Sequence, residues 1–250
     1  MRIAWEERGG GQPLLLIQGL GYGRWSWEPI LAPLAKRYRV LWFDNRGIGD
    51  SDKPPGPYSA QQMADDALQV LDEAGVERAH VLGASLGGMI AQELAVARPA
   101  RVARLVLCCT HPGVAHGFPL PGVTARLFAE APTLAPEVAL RRFVENALGP
   151  EAQTSLVDEL VRRRTANPPD PAGWQAQAAA GMTFAGVDAP IAQDTLIVTG
   201  TADNVVDVRN SDVLAARIPG ARVEKLEGLG HLFFWEAPDR FVRIVTEFLG

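Results

Sequence analysis

Short runs of apolar residues alternate with longer mixed stretches over most of the chain. The apolar runs predict buried strands, which we place at residues 14–17, 39–43, 80–83, 102–109, 195–199 and 222–226. The stretches between them predict helices at residues 60–74, 87–97, 208–217 and 239–249, the first with Ser59 as its N-cap and Gly75 as its stop. Such alternation is typical of a mostly parallel sheet flanked by crossover helices. We therefore expect an α/β fold.

The segment 112–190 departs from this alternation. It is rich in proline and alanine, contains no convincing strand, and predicts helices most clearly at residues 138–148 and 156–164. A strand-and-helix body interrupted by a helical segment is typical of one catalytic unit that carries a cap. We therefore predict a core formed by residues 1–111 and 191–250, and a helical cap formed by residues 112–190.

Length and composition are those of an ordinary globular enzyme. The chain has 250 residues, of which 47% are hydrophobic and 21% are charged, so one domain with an inserted segment suits it. Its 24 basic and 29 acidic residues give a formal net charge of −5, which disfavours nucleic acid and anionic membrane surfaces as partners.

The sequence predicts neither an export signal nor a disulfide. Glu6 and Glu7 stand where a secretory signal would need apolar residues, and no apolar run approaches the length of about 18 residues that a membrane span requires. Cys108 and Cys109 are adjacent, a spacing that rarely forms a disulfide. We therefore expect a cytoplasmic protein without a disulfide framework.

The candidate nucleophile lies in the sequence Gly83-Ala84-Ser85-Leu86-Gly87, which fits the pattern G-x-S-x-G between a predicted strand and a predicted helix. A turn this sharp brings the residues on either side of the serine so close together that only glycine fits there. It also raises the serine hydroxyl above the sheet and places the next N–H at a helix N-terminus, where negative charge is stabilised. We predict Ser85 as the nucleophile.

A serine hydroxyl needs a base to accept its proton, and the chain has four histidines. His231 lies in a glycine-flanked loop between the last predicted strand and the last predicted helix, at the sheet edge where α/β proteins bind ligands. His80 opens a strand and is interpreted as an ordinary edge residue. His111 and His116 lie where the cap begins and are interpreted as loop residues, with substrate contact as the alternative. We predict His231 as the general base.

The acid that orients the histidine should follow another strand and precede the histidine in the chain. Asp203 follows the strand predicted at residues 195–199 and is placed to accept a hydrogen bond from His231. Asp207 is the competing candidate, although its position favours a helix-start carboxylate. We predict Asp203.

Two backbone N–H groups are needed to stabilise an oxyanion. The N–H of Leu86, directly after the nucleophile, is one candidate. The glycine-rich turn Gly19-Leu20-Gly21 follows the first strand and lets the backbone approach closely, so we predict Leu20 as the second donor, with a purely structural turn as the alternative.

Together these motifs resemble the α/β-hydrolase superfamily, within it the group of serine esterases, 3-oxoadipate enol-lactonases and cofactor-free haloperoxidases. The resemblance is carried by Gln18-Gly19-Leu20-Gly21, by residues 43–52 (FDNRGIGDSD), by residues 83–89 (GASLGGM), by Gly200-Thr201-Ala202-Asp203 and by Gly230-His231. It covers everything except residues 112–190. It implies an α/β-hydrolase fold with a mostly parallel central sheet flanked by helices, and a helical cap inserted after the sixth strand.

The chain departs from the family pattern at one position. Many relatives carry His-Gly in the oxyanion loop, whereas this chain has Gln18-Gly19, so the support of the loop should differ. Serine at residue 85 argues against the dehalogenase and epoxide-hydrolase branches, which resemble this fold but use an aspartate nucleophile.

Two charged stretches receive a structural interpretation. Four carboxyl or amide side chains crowd residues 44–52, but calcium-loop spacing is absent, and the resemblance implies a loop in which Arg46 pairs with nearby carboxylates. Arg162-Arg163-Arg164 is interpreted as a solvated helix end. We predict no metal site and no cofactor.

Aromatic residues in and beside the segment 112–190 suggest an apolar cleft, and we take Trp25, Trp174 and Phe143 as substrate-binding candidates. The predicted function is hydrolysis of carboxylic esters or lactones through an acyl-enzyme, with a small-molecule ester or lactone as partner and a monomer or small homo-oligomer as the assembly.

Other activities remain open on the same scaffold. They are enol-lactone hydrolysis, perhydrolysis as in the haloperoxidases, and carbon–carbon bond hydrolysis, with a non-catalytic binding module as the rival from another class. An enol-lactonase would need a cation in the cleft to bind its carboxylate-bearing substrate, and Arg24, Arg126 and Arg142 are the candidates.

Overall fold

The computed structural model describes residues 1–250 and contains one seven-stranded sheet. Its strands are β1 Trp5–Arg8, β2 Gln12–Ile17, β3 Tyr38–Phe43, β4 Ala79–Ala84, β5 Val102–Cys108, β6 Thr195–Gly200 and β7 Arg222–Leu226. They lie in the order β1-β3-β2-β4-β5-β6-β7, and all neighbours are parallel except β1, which runs antiparallel to β3. The predicted α/β fold is thus confirmed, and each of the six predicted strands is present with its ends moved by two residues or fewer.

Ten α-helices connect the strands. They are α1 Glu28–Leu34, α2 Ala60–Glu73, α3 Leu86–Ala97, α4 Gly122–Glu130, α5 Pro136–Asn146, α6 Thr154–Ala166, α7 Pro171–Thr183, α8 Arg209–Arg217, α9 Phe233–Glu236 and α10 Pro238–Leu249. Ser59 caps α2 as predicted, because its hydroxyl accepts from the Gln62 N–H at 3.1 Å and the Gln62 side chain accepts from the Ser59 N–H at 3.1 Å. No helix combines the length and the apolar character needed to span a bilayer.

Side chains alternate between the two faces of the sheet and build one hydrophobic core on each face. Leu15 and Ile17 of β2 face α2, α3 and α8, whereas Leu14 and Leu16 of the same strand face α1 and α10. Both faces are covered, which is why β4 and β6 are buried along their whole length.

Residues 112–190 contain α4 to α7 and no strand. Their buried side chains join the two cores of the sheet, through Ala176 and Ala180 of α7 on one face and Val157 and Leu160 of α6 on the other. The segment follows the fifth strand, not the sixth as predicted, because the residues before β2 form a single strand at that edge of the sheet.

The strand order reverses beside β2. From β2 the chain moves outward to β3, then crosses back to β4 on the other side, so β2 and β4 are neighbours with Ile17 opposite Gly83. Loops after two such strands leave the sheet in opposite directions and open a crevice between them, which is where ligands bind in sheets of this kind. The loop after β2 begins at Gln18, and the turn after β4 holds Ser85.

His80 is not the edge residue predicted. It lies in β4, the central strand, and only 7% of its surface is exposed. Burial lowers the pKa of His80 to about 4, and Arg104 and Arg78 act in the same direction. The sequence shows His80 only as the first residue of a strand. It does not show that this strand lies in the centre of the sheet.

This histidine should make the protein sensitive to mild acid. The unfolded chain takes up the proton near pH 6.5 and the folded chain only near pH 4, so stability is lost as the pH falls between these values. From pH 7 to pH 5 we expect the free energy of unfolding to fall by up to about 2 kcal/mol through this residue. Urea unfolding at both pH values should show a smaller fall in His80→Leu. In the control His116→Leu, which replaces an exposed histidine, the free energy of unfolding should fall as much as in the parent. A fall in His80→Leu as large as that of the parent would contradict the assignment.

Candidate active site

Ser85 occupies the turn between β4 and α3 with φ 54° and ψ −119°, a conformation that non-glycine residues rarely adopt. The neighbouring glycines are required by space. A side chain at Gly83 would begin 2.2 Å from the Gly87 carbonyl oxygen, and one at Gly87 would begin 2.0 Å from the Ile17 carbonyl oxygen. The surrounding backbone therefore enforces the turn that raises the Ser85 side chain from the sheet.

Hydrogen bonds to neighbouring elements hold this turn. The Ser85 N–H donates to the Cys108 carbonyl at 2.9 Å, and the Ser85 carbonyl accepts from the Gly88 N–H at 2.9 Å and from Thr110 Oγ1 at 2.7 Å. Leu86 is the first residue of α3, so its N–H has no acceptor within the helix and points with the positive end of the helix dipole.

The loop after β2 is built around Gln18, which is 3% exposed. Its side-chain oxygen accepts from the Gly19 N–H at 2.8 Å, and its side-chain nitrogen donates to Ser26 Oγ at 2.6 Å. The Gln18 carbonyl accepts from Asn45 Nδ2 at 2.8 Å. Glutamine thus supports the loop with its own side chain, which is the different support expected from the departure in sequence.

The loop passes directly beside the serine. A side chain at Gly19 would begin 3.0 Å from Ser85 Cβ and 3.6 Å from Ser85 Oγ. The N–H groups on either side of Leu20 are occupied, by the Gln18 side chain at Gly19 and by Gln177 Oε1 at Gly21, whereas the Leu20 N–H has no protein acceptor. Leu20 is therefore the residue of this loop with a free backbone donor near Ser85.

Asp203 and His231 form a buried pair. His231 Nδ1 lies 2.7 Å from Asp203 Oδ2, and the second carboxylate oxygen accepts from the N–H groups of Val205 at 2.7 Å and Val206 at 2.8 Å. Asp207, the competing candidate, instead pairs with the Arg209 guanidinium at 2.6 Å. The carboxylate that the structure places against the imidazole is Asp203.

The imidazole is strongly perturbed. Burial acts to lower the pKa of His231, but the Asp203 carboxylate outweighs this effect and raises the pKa well above the ordinary value for histidine. The Cys109 side chain also contacts the ring, and burial raises the pKa of this thiol, so it faces the imidazole as a neutral group. Cys109 has φ 40°, a second strained residue at the site.

Ser85 and His231 line one cavity of about 640 Å³ between the sheet and residues 112–190. Fourteen of the 23 lining residues are hydrophobic, so the space is mainly apolar. The His231 side chain is hydrogen-bonded to Asp203, and contacts between a catalytic serine and its base are often long in free enzymes. Leu20 also lines the cavity, whereas Leu86 does not, and its side chain is buried in the core.

Two of the three predicted substrate contacts lie in this cavity. Phe143 and Trp174 line it, and both pack against Phe128, with ring centroids 5.0 and 6.5 Å apart. The prediction for Trp25 is wrong. The 3₁₀ turn Arg24–Trp27 directs this ring towards Tyr22 and Trp235, at 5.6 and 6.2 Å, and into a separate groove.

The predicted loop histidines and the acidic loop lie outside the cavity. His111 Nδ1 accepts from the Gly113 N–H at 3.0 Å, and His116 is exposed. Arg46 pairs with Asp66 of α2 through two contacts of 2.5 and 2.7 Å, as the resemblance implied. Asp44 accepts from the N–H groups of Arg24 and Asp50, so the loop uses its carboxylates internally.

The cation in the cleft is one that the sequence did not single out. Arg24, Arg126 and Arg142 do not line the cavity, and Arg24 and Arg142 are held in ion pairs outside it. Arg164 does line it. It was interpreted with Arg162 and Arg163 as part of a solvated helix end, and no local signal distinguishes it, because its contact is with a loop more than a hundred residues earlier.

Known proteins resemble this chain along nearly its whole length. "Putative carbamate hydrolase RutD" from Azorhizobium caulinodans is 31% identical to this chain, and the match covers 99% of this chain and 95% of that protein. The pimeloyl-[acyl-carrier protein] methyl ester esterase of Aeromonas hydrophila is 29% identical over the full length of both chains. The crystal structure of the enol-lactonase from Burkholderia xenovorans LB400 superposes with a TM-score of 0.82 at 26% identity, covering 99% of this chain and 96% of that one.

The match to a protein family covers almost the whole chain. The family model described as the alpha/beta hydrolase fold matches residues 12–238, a span that includes the serine turn, the loop after β2 and the Asp203–His231 pair. This match and the sheet topology lead to one conclusion: the chain belongs to the α/β-hydrolase family and is a hydrolase.

Proposed function

We propose that the protein hydrolyses carboxylic esters or lactones through a covalent acyl-enzyme. The observation that carries this proposal is the buried Asp203–His231 pair, whose histidine lines one apolar cavity with the strained Ser85. Ester-hydrolysing and lactone-hydrolysing proteins are among the relatives of the chain. The conclusion on substrate class rests on the chemistry that these side chains can perform together.

In the first step Ser85 Oγ attacks the carbonyl carbon of the substrate. His231 accepts the hydroxyl proton on Nε2, because Nδ1 faces Asp203 and carries the other proton. The ring becomes an imidazolium, and the buried carboxylate beside it stabilises that charge. Two backbone N–H contacts to Asp203 fix the carboxylate in place, so the pair needs no rearrangement as the proton moves.

The carbonyl oxygen becomes negative as the new C–O bond forms. The free N–H groups of Leu20 and Leu86 approach this position from two sides, from the loop after β2 and from the first turn of α3. Fixed donors of this kind lower the barrier without needing to reorient. Gly19 has no side chain, so the loop can lie against Ser85 and bring Leu20 near the reacting carbonyl.

The tetrahedral species then collapses. His231 returns its proton to the leaving alkoxide, which departs as an alcohol and leaves the acyl group on Ser85. A water molecule, activated by the same imidazole, attacks the acyl carbon and releases the carboxylic acid with the serine restored. In a lactone the alcohol and the acid remain parts of one product. No metal is required by this sequence of steps.

The shape of the cavity suits a small or medium ester. About 640 Å³ lies within the usual range for sites that bury a ligand of drug size. Its lining of aromatic and aliphatic side chains, including Phe143, Val144 and Trp174, removes apolar parts of the substrate from water.

Replacing the nucleophile tests the mechanism. Ser85→Ala should reduce kcat on p-nitrophenyl butyrate at least a thousandfold, because the acyl-enzyme can no longer form. A fluorophosphonate probe should label the parent at Ser85 and fail to label the variant. Ser155→Ala, an exposed serine of α6, should behave as the parent, with circular dichroism showing that both variants fold. Turnover retained by Ser85→Ala would refute the proposal.

The Asp203–His231 pair should set the pH dependence. His231 must be neutral to accept the serine proton, so kcat/KM falls as the pH drops through the pKa of His231, which is raised and puts this limb above about pH 6.5. Asp203→Asn should move the limb to lower pH and reduce kcat by roughly a thousandfold or more.

Asp207→Asn is the matched control for this pH experiment, since it changes the competing carboxylate by the same chemical step. It should leave the acid limb at the same pH as in the parent and kcat within about threefold of the parent value. A limb that stays in place in Asp203→Asn, or an equal loss in Asp207→Asn, would show that another acid orients the base.

The loop after β2 can be tested by adding one methyl group. In Gly19→Ala the new Cβ would lie 3.0 Å from Ser85 Cβ, so the loop or the serine must shift, and we expect kcat to fall about a hundredfold. Gly10→Ala is the matched control, because a side chain there meets no atom within 4 Å, and it should keep the parent rate. Equal rates in both variants would argue against an oxyanion role for the loop.

A further inference from the structure

Arg164 of α6 is the one residue with a permanent charge among those that line the cavity. The other ionisable residues there are Ser85's partner His231, the buried thiol Cys109 and the phenol Tyr22. No aspartate or glutamate lines the space, and the protein as a whole has a formal net charge of −5. A single cation in an otherwise apolar site of an acidic protein requires an explanation.

The charge of Arg164 is not used in an ion pair. Its neighbours Arg162 and Arg163 both pair with Glu159, and Arg163 also pairs with Glu28. None of the salt bridges of the protein includes Arg164, which is only partly buried. Guanidinium groups that bury part of their surface normally find a carboxylate or a phosphate. Here the protein supplies neither, so the anion can come from a ligand.

Two contacts fix the guanidinium in place. Arg164 Nη1 donates to the Gly21 carbonyl, and the guanidinium lies 4.3 Å from the centroid of the Tyr22 ring. Stacking of this kind holds the plane of the group and costs no hydrogen-bond donor. A guanidinium has five N–H donors, and one is used by Gly21, so donors remain for a ligand.

Tyr22 adds a second polar group beside the cation. It lines the same cavity, and burial raises the pKa of its hydroxyl, an effect that Arg164 opposes. The hydroxyl therefore stays protonated in the working pH range and can donate a hydrogen bond. A carboxylate has two oxygens, which suits a planar guanidinium with a neighbouring hydroxyl donor.

We propose that Arg164 selects the substrate by binding a free carboxylate, so that the preferred substrates are esters or lactones that carry a second, unesterified carboxyl group. This inference rests on the proposed function and narrows it to anionic substrates. Arg164 acts in it as a specificity residue and takes no part in the bond changes at Ser85.

Arg164 and Ser85 lie beside neighbouring parts of one loop. Gly19 lies against Ser85, the Gly21 carbonyl accepts from Arg164, and two residues of chain span at most about 7 Å. Both side chains line the same cavity, so one small molecule can present an ester carbonyl to Ser85 and a carboxylate to Arg164.

The experiment compares pairs of substrates that differ only in the anionic group. Monomethyl adipate is matched with methyl hexanoate, and 5-acetoxypentanoate is matched with pentyl acetate, so the carboxylate is tested on the acyl side and on the alcohol side. We expect the parent to prefer one of the anionic substrates over its neutral match by about 10- to 100-fold in kcat/KM, the range for a hydrogen-bonded charge pair.

The variants separate recognition from architecture. Arg164→Gln should lower kcat/KM for the preferred anionic substrate about 10- to 100-fold more than for its neutral match, so that the preference is lost, and Arg164→Lys should recover part of the preference because the charge returns. Arg162→Gln is the matched control. It makes the same charge change on the same helix at a side chain that is 66% exposed, and it should keep the preference.

Each outcome bears on one proposal. If Arg164→Gln lowers the anionic and neutral substrates equally, Arg164 only supports the loop after β2, and the inference is overturned. If the parent hydrolyses neutral esters but prefers neither anionic substrate, the inference is again overturned while the proposed function stands. If no ester is hydrolysed and Ser85 is not labelled, it is the proposed function that fails.

Discussion

The site depends on close packing of three backbone segments at the carboxyl ends of β2 and β4. At Gly19, Gly83 and Gly87 an added methyl group would meet backbone or Ser85 atoms at 3.0 Å or less. The same absence of side chains permits the strained turn at Ser85, because the neighbouring segments leave it no relaxed alternative. The packing of the neighbouring segments therefore holds the turn in its strained conformation.

Sheet topology explains why this packing occurs where it does. The order reverses beside β2, so the loop that follows β2 and the turn that follows β4 meet across adjacent strands. Asp203 follows β6 and His231 follows β7, which lie further along the same edge. Four chain segments that are distant in sequence thereby face one cavity, and the rigid sheet fixes their spacing.

Features encoded locally could be predicted from the sequence. The strands were found from their apolar runs because both faces of the sheet are covered, and the Ser59 cap was found from residue type alone. The pairing of Asp203 with His231 followed from position, since each residue ends a strand segment on the same edge. These predictions needed only the order of elements and the preferences of single residues.

Features that depend on distant packing could not be predicted. Trp25 turns away from the cavity because a short 3₁₀ turn after the loop rotates it towards Trp235, and nothing in its neighbours signals that rotation. Arg164 looks like its two neighbours in sequence and differs only in which side of α6 meets the loop after β2. The burial of His80 could not be predicted, because the position of its strand in the sheet follows from the strand order and not from the sequence of that strand.

The contacts of Gly21 have a consequence for how such proteins diverge. Its N–H is held by Gln177 of α7, its carbonyl by Arg164 of α6, and the Trp174 ring fills the space beside its α-carbon. The inserted helices are thus part of the scaffold of the proposed oxyanion-binding loop. A different helical insert would have to make the same contacts with Gly21 to keep this loop in place. Changes in the insert that alter selectivity therefore also affect the rate of turnover.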